Sequence, residues 1–436
     1  MQNDFEQRYL ELLERADIIS SSPVKGCPVL KAYGYKIWEM IQKNVDTKLK
    51  TLGYENMYFP QFIPISLLKK QKEHHDSFIR ETVRISHAGN TPLTEEHIVR
   101  PTSEAIIYAS IKDWIKTEKD LPLRLNQWCS IVRWEVLKEN FPLIRDNEFL
   151  WHECHSCHAT EKECDAYVQK VFALQKNLIK EDLAIPVFEG KKPERRKFAG
   201  AEYTLALEAM MGNGKAVQIA TSHSLAQRFS IPFDLRFTTT KGKKEYVWQA
   251  CSGLTTRLIG ALIMVHTDAR GIILPPRIAP YEIAIIDDSA LYDELKLQWR
   301  VAYGKTKAYW TERGVPLIIE KKKMIRRDTQ QSMDLHQEKK GIAKILEEIQ
   351  KNLFLRAQKF QKERTITTQK YEEMKNHLLQ QKGFCIAAWC GKTKCSNLIK
   401  KETLGSLRLL FSSQEKRKCI RCQHETKKQA LFGQAY

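Results

Sequence analysis

The sequence predicts an α+β chain: an antiparallel sheet flanked by helices, then an α/β unit, then a small α+β segment built around a metal. Three observations carry this. Gln127 to His155 reads as two aromatic-rich strands with alternating polar groups, joined by a polar loop around Lys138 to Asn140. The paired prolines of ILPPRIAPYE break the pattern, and YEIAIID beyond them opens a fresh strand. Finally, Cys390-x4-Cys395 and Cys419-x2-Cys422 form two tight thiol pairs, a spacing that suits a tetrahedral Zn²⁺ site closed by four thiolates.

Composition narrows the class. A chain of 436 residues with 42% hydrophobic and 9% aromatic residues can bury a sizeable core, which excludes a disordered protein. The net charge of +19 suits a polyanionic partner, or simply a soluble surface. The opening MQNDFEQRYLELLERAD is acidic and amphipathic, unlike a signal or transit peptide. No run of about 18 apolar residues offers a membrane span. Eleven cysteines without a secretory signal point to reduced thiols and metal ligation, hence to a cytoplasmic enzyme.

Taken in order, residues 5 to 19 read as a helix with Phe5, Tyr9, Leu12 and Leu13 on one face. Residues 33 to 52 give a second, with Ile37, Trp38, Ile41, Val45 and Leu49 at helical spacing. The strand YENMYFPQFIPI contains Pro60, which suits an edge or an interface. IVRPTSE (98 to 104) reads as a short strand ending in a polar turn, with Thr102 and Glu104 on one face. A hydroxyl beside a carboxylate suits an ammonium group, while the same Thr-Ser-Glu also caps the apolar run AIIYASIKDWI.

In the hairpin, Trp128, Ile131, Val132, Trp134 and Val136 alternate, then Phe149, Leu150 and Trp151. Its polar face carries Arg133, Glu135, Arg145, Glu148, Glu153 and His155. So many charges among large apolar groups are costly unless partnered. One Arg-Glu pair would read as a salt-bridged sheet face. This density, with Phe149 four residues after Arg145, reads as a nucleotide site: guanidinium grips phosphate through paired hydrogen bonds and an aromatic ring stacks on adenine. His152, Cys154, His155, Cys157 and His158 imitate a metal cluster. Strand alternation sends Cys154 away from His155 and Cys157, so the cluster is a coincidence.

Residues 160 to 183 read as an amphipathic helix, and AVQIATSHSLAQRF (216 to 229) brings Gln218, Thr221 and His223 near a strand end. GLTTRLIGALIM (253 to 264) reads as a glycine turn, Arg257 and an apolar helix, where the arginine is expensive unless its charge is used. A long helical stretch from Leu291, a strand at VPLIIE and a helix over 342 to 360 follow. KKKMIRR (321 to 327) reads as an RNA-facing patch or a solvated loop.

The order R-x-E, loop, R-x-x-x-F resembles motif 2 of class II aminoacyl-tRNA synthetases. RWE and EFLWHECH resemble the prolyl-tRNA synthetases in their eukaryotic and archaeal form. RPTSE, QIATSH, GLTTR and the terminal LFGQAY extend the likeness over nearly the whole chain. It implies a class II catalytic domain over 1–275, a shortened anticodon-binding domain over 276–362 and a zinc-binding domain over 363–436. It implies a homodimer, because the helix 33 to 52 and the strand with Pro60 resemble the dimer-forming motif 1. The interval between Arg145 and Arg257 leaves no room for the editing domain of the bacterial form.

The implied activity is ATP-dependent attachment of proline to tRNA(Pro) through prolyl-adenylate. By resemblance, Thr102, Glu104, Arg133, Trp151, Glu153, His155, Phe198 and His223 hold proline. Arg133, Glu135, Arg145, Phe149, Gln218, Thr221, Thr255 and Arg257 hold ATP, with Gln218 on Mg²⁺. Cys390, Cys395, Cys419 and Cys422 hold structural Zn²⁺, and the Tyr436 carboxylate reaches toward the active site. Three motifs depart from the family: Cys154 and Ala220 replace glycines, and Cys251-Ser252-Gly253 replaces S-W-G. Side chains in place of hydrogen crowd a backbone. With the shortened anticodon region, they leave a second expectation: a degenerate paralogue that binds tRNA or a partner without catalysis. Retention of Arg133, Arg145 and Arg257 favours the active enzyme.

Overall fold

Apolar alternation along the first 275 residues condenses around one large sheet, with smaller two- and three-stranded sheets beside it. The structure, a computed structural model, describes residues 2–135 and 141–436. The expected loop around Lys138 to Asn140, and Val136 before it, lie outside the described residues. The strands these residues give to the large sheet are β1 (Glu55–Asn56), β2 (Leu123–Val132), β3 (Glu148–His158), β4 (Val187–Lys191), β5 (Tyr203–Met210), β6 (Ala216–Ala226) and β7 (Trp248–Thr255). Helices α1 (Gln2–Arg15), α2 (Ala32–Thr51), α3 (Glu104–Ser110), α4 (Glu161–Asn177) and α5 (Arg257–Val265) flank it.

A separate sheet follows, of β8 (Ile283–Ile285), β9 (Val301–Tyr303), β10 (Leu317–Glu320), β11 (Lys323–Arg326) and β12 (Ser332–Asp334), in the order β9-β8-β10-β11-β12. Its first three strands are parallel and the rest antiparallel. After helix α6 (Ile342–Glu363) come β13 (Thr365–Thr367), β14 (Phe384–Ala388), β15 (Ser406–Lys418) and β16 (Glu425–Gly433). These last strands join the first sheet. Among the described residues it has eleven strands, ordered β13-β14-β16-β15-β4-β5-β6-β7-β3-β2-β1. The seam is the antiparallel contact of β15 with β4, where Leu410 faces Lys191.

The hairpin forms, but its first strand ends at Val132, short of Trp134, and Glu148 turns to the side opposite Glu153 and His155, where it borders a different cavity. In the β2–β3 ladder Gln127 faces Glu153, Cys129 faces Trp151 and Ile131 faces Phe149. Phe149, Trp151, Glu153 and His155 of β3 line a cleft, and Cys157 beyond them packs into a second core with Ile107, Leu125 and Phe229. Even-numbered residues take the other face, where Cys154 packs in the main core with Ile37, Trp38, Ile41, Val45 and Leu49 of α2, Phe172 of α4 and Leu258 of α5. Each such fully buried side chain contributes roughly 1.5–3 kcal/mol.

Several local expectations differ. YENMYFPQFIPI is not one strand: only Glu55–Asn56 and Phe62–Pro64 pair, because Pro60 interrupts the ladder between them. The strand before RPTSE stops at Val99, and Glu104 opens α3, so Thr102 and Glu104 meet across a turn rather than along a strand. Gly253 is no turn; it lies inside β7. The stretch from Leu291 is broken into Ser289–Leu295 and Lys307–Glu312 around the short β9. KKKMIRR divides: Lys321, Lys322 and Lys323 are exposed, whereas Arg327 is buried and paired with both Asp268 oxygens at 2.7 Å. Among the described residues no helix is long and apolar enough to cross a membrane.

Candidate active site

The cleft over the carboxyl end of β7 and the middle of β3 and β6 contains two adjoining cavities of about 170 and 200 Å³. Thr102, Glu104, Trp151, Glu153, His155, Phe198, Thr221, His223 and Thr255 line the first. Glu135 and Arg145 line the second, and Arg133, Phe149, Gln218 and Arg257 line both. All fifteen candidate residues from five separate stretches of chain therefore border one cleft.

At its deep end the Thr102 hydroxyl donates to Glu104 Oε2. The Cys251 thiol donates to Glu104 Oε1 at 3.5 Å, and His74 Nε2 lies 3.8 Å from Oε2. The expected cap does not form. Ser103 gives its hydroxyl to Glu153 instead of the α3 backbone. Glu153 also accepts from Gln127 Nε2 at 2.8 Å and meets His155 Nε2 at 3.1 Å. Burial raises its pKa, but the His155 contact and these donors outweigh it and hold the carboxyl down at about 2. Glu153 is thus consumed in orienting His155, whose Nδ1 meets Tyr108 OH at 3.1 Å. Glu104 keeps a face toward the cavity, a buried carboxylate beside a hydroxyl, which suits a small ammonium.

Ligand atoms of Glu104, His155 and Cys251 lie within 4.8 Å of one another. Both nitrogens of His155 are already engaged, so this trio is better matched to an ammonium than to a metal ion. His152, Cys154, Cys157 and His158 belong to no such group among the described residues.

Arg133 leaves β2 and donates Nε to the Pro101 carbonyl at 2.9 Å. Its guanidinium lies 5.1 Å from the Phe78 ring and 5.5 Å from Trp151. Burial lowers its pKa, opposed by Glu104, Glu81, Glu135 and Glu153. On the facing wall Phe198 sits 4.8 Å from the His223 ring. Thr204 Oγ1 accepts from the Phe198 amide at 2.9 Å and lies 2.8 Å from His223 Nδ1. Burial, then His155 and Arg133, push His223 down to about 3, so the ring is neutral.

At the open end Arg257 begins α5. Its amide donates to Thr255 Oγ1 at 3.0 Å, and its Nε to the Ile144 carbonyl at 2.9 Å. Burial, then Arg133 and Arg145, pull its pKa to about 10, with Asp146 opposing. Arg145 pairs with Glu135 at 3.0 Å. Like charges drawn into one cleft at this cost call for an anion.

Of the three departures, Cys154 faces the core, away from the cleft. Ala220 belongs to the same core cluster, and Ser252 stands directly opposite Cys154 on the neighbouring strand, so its side chain shares that face. Ser252 Oγ is 2.6 Å from Ser222 Oγ, which donates to Gln175 Oε1 at 3.1 Å, so a small polar network ties β7 and β6 to α4 on that side.

The four C-terminal thiols lie within 4.8 Å of one another, Cys390 and Cys395 at 3.6 Å. Tetrahedral zinc with sulfur at about 2.3 Å places sulfurs about 3.8 Å apart, so the cage fits.

Sequence reading missed Gln127, Ser103, His74 and Cys251. Two were findable by register: Gln127 opposes Glu153 and Cys251 opposes His155 across neighbouring ladders. Ser103 and His74 arrive from α3 and the helix Lys72–Phe78, with no local signal.

Residues 87–266 match the tRNA synthetase class II core domain (G, H, P, S and T), and residues 371–436 match the prolyl-tRNA synthetase C-terminal family. A proline--tRNA ligase of Natranaerobius thermophilus is 36% identical over 468 residues, covering 99% of this chain and 96% of the relative. Proline--tRNA ligase 2 of Bacillus thuringiensis subsp. konkukian is 38% identical over 469 residues, covering 100% and 98%. The crystal structure of prolyl-tRNA synthetase from Cryptosporidium parvum, complexed with halofuginone and AMPPNP, superposes with a TM-score of 0.90 at 34% identity, covering 98% of this chain and 94% of that one. With its class II sheet, its convergent arginines and its four-cysteine C-terminal segment, the chain belongs to the prolyl-tRNA synthetases.

Proposed function

We propose that the chain acts as a proline--tRNA ligase by the following division of labour. The proline ammonium pairs with Glu104 and Thr102, its ring lies against Trp151 and Phe198, and Glu153, His155 and His223 shape the deep wall. Arg133 draws the proline carboxylate and the ATP α-phosphate together. Glu135, Arg145 and Arg257 orient the triphosphate, Thr221 and Thr255 lie beside it, and Phe149 stacks on adenine. A carboxylate oxygen attacks the α-phosphorus, the bond to the β-phosphate oxygen breaks, and pyrophosphate leaves with the bonding electrons. A terminal ribose hydroxyl of tRNA(Pro) then takes the prolyl group and AMP departs. Catalysis is mostly positioning and charge stabilisation.

The observation that carries this reading is the convergence of Arg133, Arg145 and Arg257 on one cleft that ends in the Thr102–Glu104 pair. Mg²⁺, held through Gln218, would offset triphosphate charge. Zn²⁺ on Cys390, Cys395, Cys419 and Cys422 would brace the C-terminal segment.

The division at 275 and 362 is supported by the separate small sheet between them. Homodimerisation is supported by the exposed Tyr58 and Phe62 flanking Pro60. A cytoplasmic setting is supported by eleven free cysteines. Proline-dependent exchange of pyrophosphate into ATP, measured across the twenty amino acids, is the test; no exchange with any of them leaves only the non-catalytic paralogue.

A further inference from the structure

Strand β15 carries Arg408 into the wall of the larger cavity, beside Arg133, Arg145, Arg257 and Gln218. Arg408 is 8% exposed and gives both Nε (3.1 Å) and Nη2 (2.8 Å) to one oxygen of Glu208. Glu208 is wholly buried and also takes Lys192 Nζ at 3.1 Å. A single carboxylate therefore serves two buried cations. Exposed Arg196 stands close enough that the Arg408 charge lowers its pKa, after burial. Arg196 itself lines the adjoining cavity. Burying cations in excess of their counter-charge is unfavourable unless an anion completes the set.

We propose that Arg408, with Arg196 at the rim, forms a subsite for the pyrophosphate group. It holds the β- and γ-phosphates of ATP before the reaction and the departing pyrophosphate after it. This rests on the ATP reading above and extends it. Arg133, placed at the α-phosphate, Gln218 and Arg408 line the same cavity, so the leaving group has within it a guanidinium that Glu208 only part-neutralises. The C-terminal segment then takes part in adenylate chemistry through one side chain.

The test uses the full-length, zinc-loaded chain with Arg408→Lys and Arg408→Ala, and compares KM for pyrophosphate, ATP and proline in the exchange assay with thermal unfolding. Lysine keeps a cation for Glu208 but loses the planar two-pronged grip on phosphate. Arg408→Lys is expected to raise KM for pyrophosphate by about tenfold while KM for proline stays within about twofold and the unfolding midpoint holds. Alanine is expected to do more; if it fails to fold, the lysine variant decides. Unchanged pyrophosphate and ATP constants in Arg408→Lys overturn the subsite. So does an equal rise in all three constants, or a defect confined to transfer onto tRNA. Absence of exchange in the unaltered chain would instead sink the ATP reading itself.

Discussion

Gly253 faces the indole of Trp151 so closely that a Cβ on it would stand 2.7 Å from Cζ2 and 2.9 Å from Cη2. The glycine is needed for space, because Trp151 forms the wall of the cleft beneath Arg133. Gly253→Ala should displace the ring and raise KM for proline by about tenfold, the order of cost of overpacking a fitted site. The effect on KM for ATP should be smaller. Exchange kinetics at varied proline and ATP check it; equal constants would mean the indole yields freely.

Arg133→Lys should lower kcat of proline-dependent exchange by about 100-fold or more, as expected for losing one preorganised donor to a developing charge. Lysine still offsets Glu104 and Glu153, so the unfolding midpoint should move little. Retention of more than about a tenth of the activity would remove Arg133 from the centre of the chemistry.

Asp146 supplies a pH signature. Burial pushes its carboxyl from 3.8 up to about 7, against the lowering pull of the Leu143 amide and Arg257. The folded chain thus keeps a proton that the unfolded chain has released. Its contribution to stability is full below pH about 4, and is lost as pH rises through 7. Asp146→Asn should flatten that slope. Denaturant midpoints measured from pH 4 to 8 report it, and parallel curves for the two proteins would refute it.

Chelation should be selective in its damage. Cys395 and Cys419 are buried in the C-terminal core with Leu378, Ile399 and Phe432. Cys395→Ser should release one zinc per chain and lower the unfolding midpoint by about 5 °C or more. Elemental analysis with calorimetry reads both quantities. Full metal content in the variant would show that the cage does not need this sulfur.

Much of this was legible in the amino-acid order because it is periodic or chemically expensive. Helix α2 shows Ile37, Trp38, Ile41, Val45 and Leu49 at helical spacing, and all five reach the core. Arg133 and Arg257 stood out as cations in apolar surroundings. What stayed hidden depends on partners distant in sequence. Cys251 and Gln127 acquire meaning only through strands they pair with, and His74 only through the fold of a short helix against Glu104. Three-residue strands such as β9 are too short for alternation to register. Glycine at 253 reads as a turn from its neighbours, whereas its true constraint is an aromatic ring on the adjacent strand.

The seam between Leu410 and Lys191 has a practical bearing on dissection of this chain. A fragment ending before β15 would remove the strand that meets this edge of β4, at Lys191, and leave the whole edge of Val187–Lys191 without a strand partner. Truncated preparations should therefore self-associate, and their inactivity would say nothing about which half performs the chemistry.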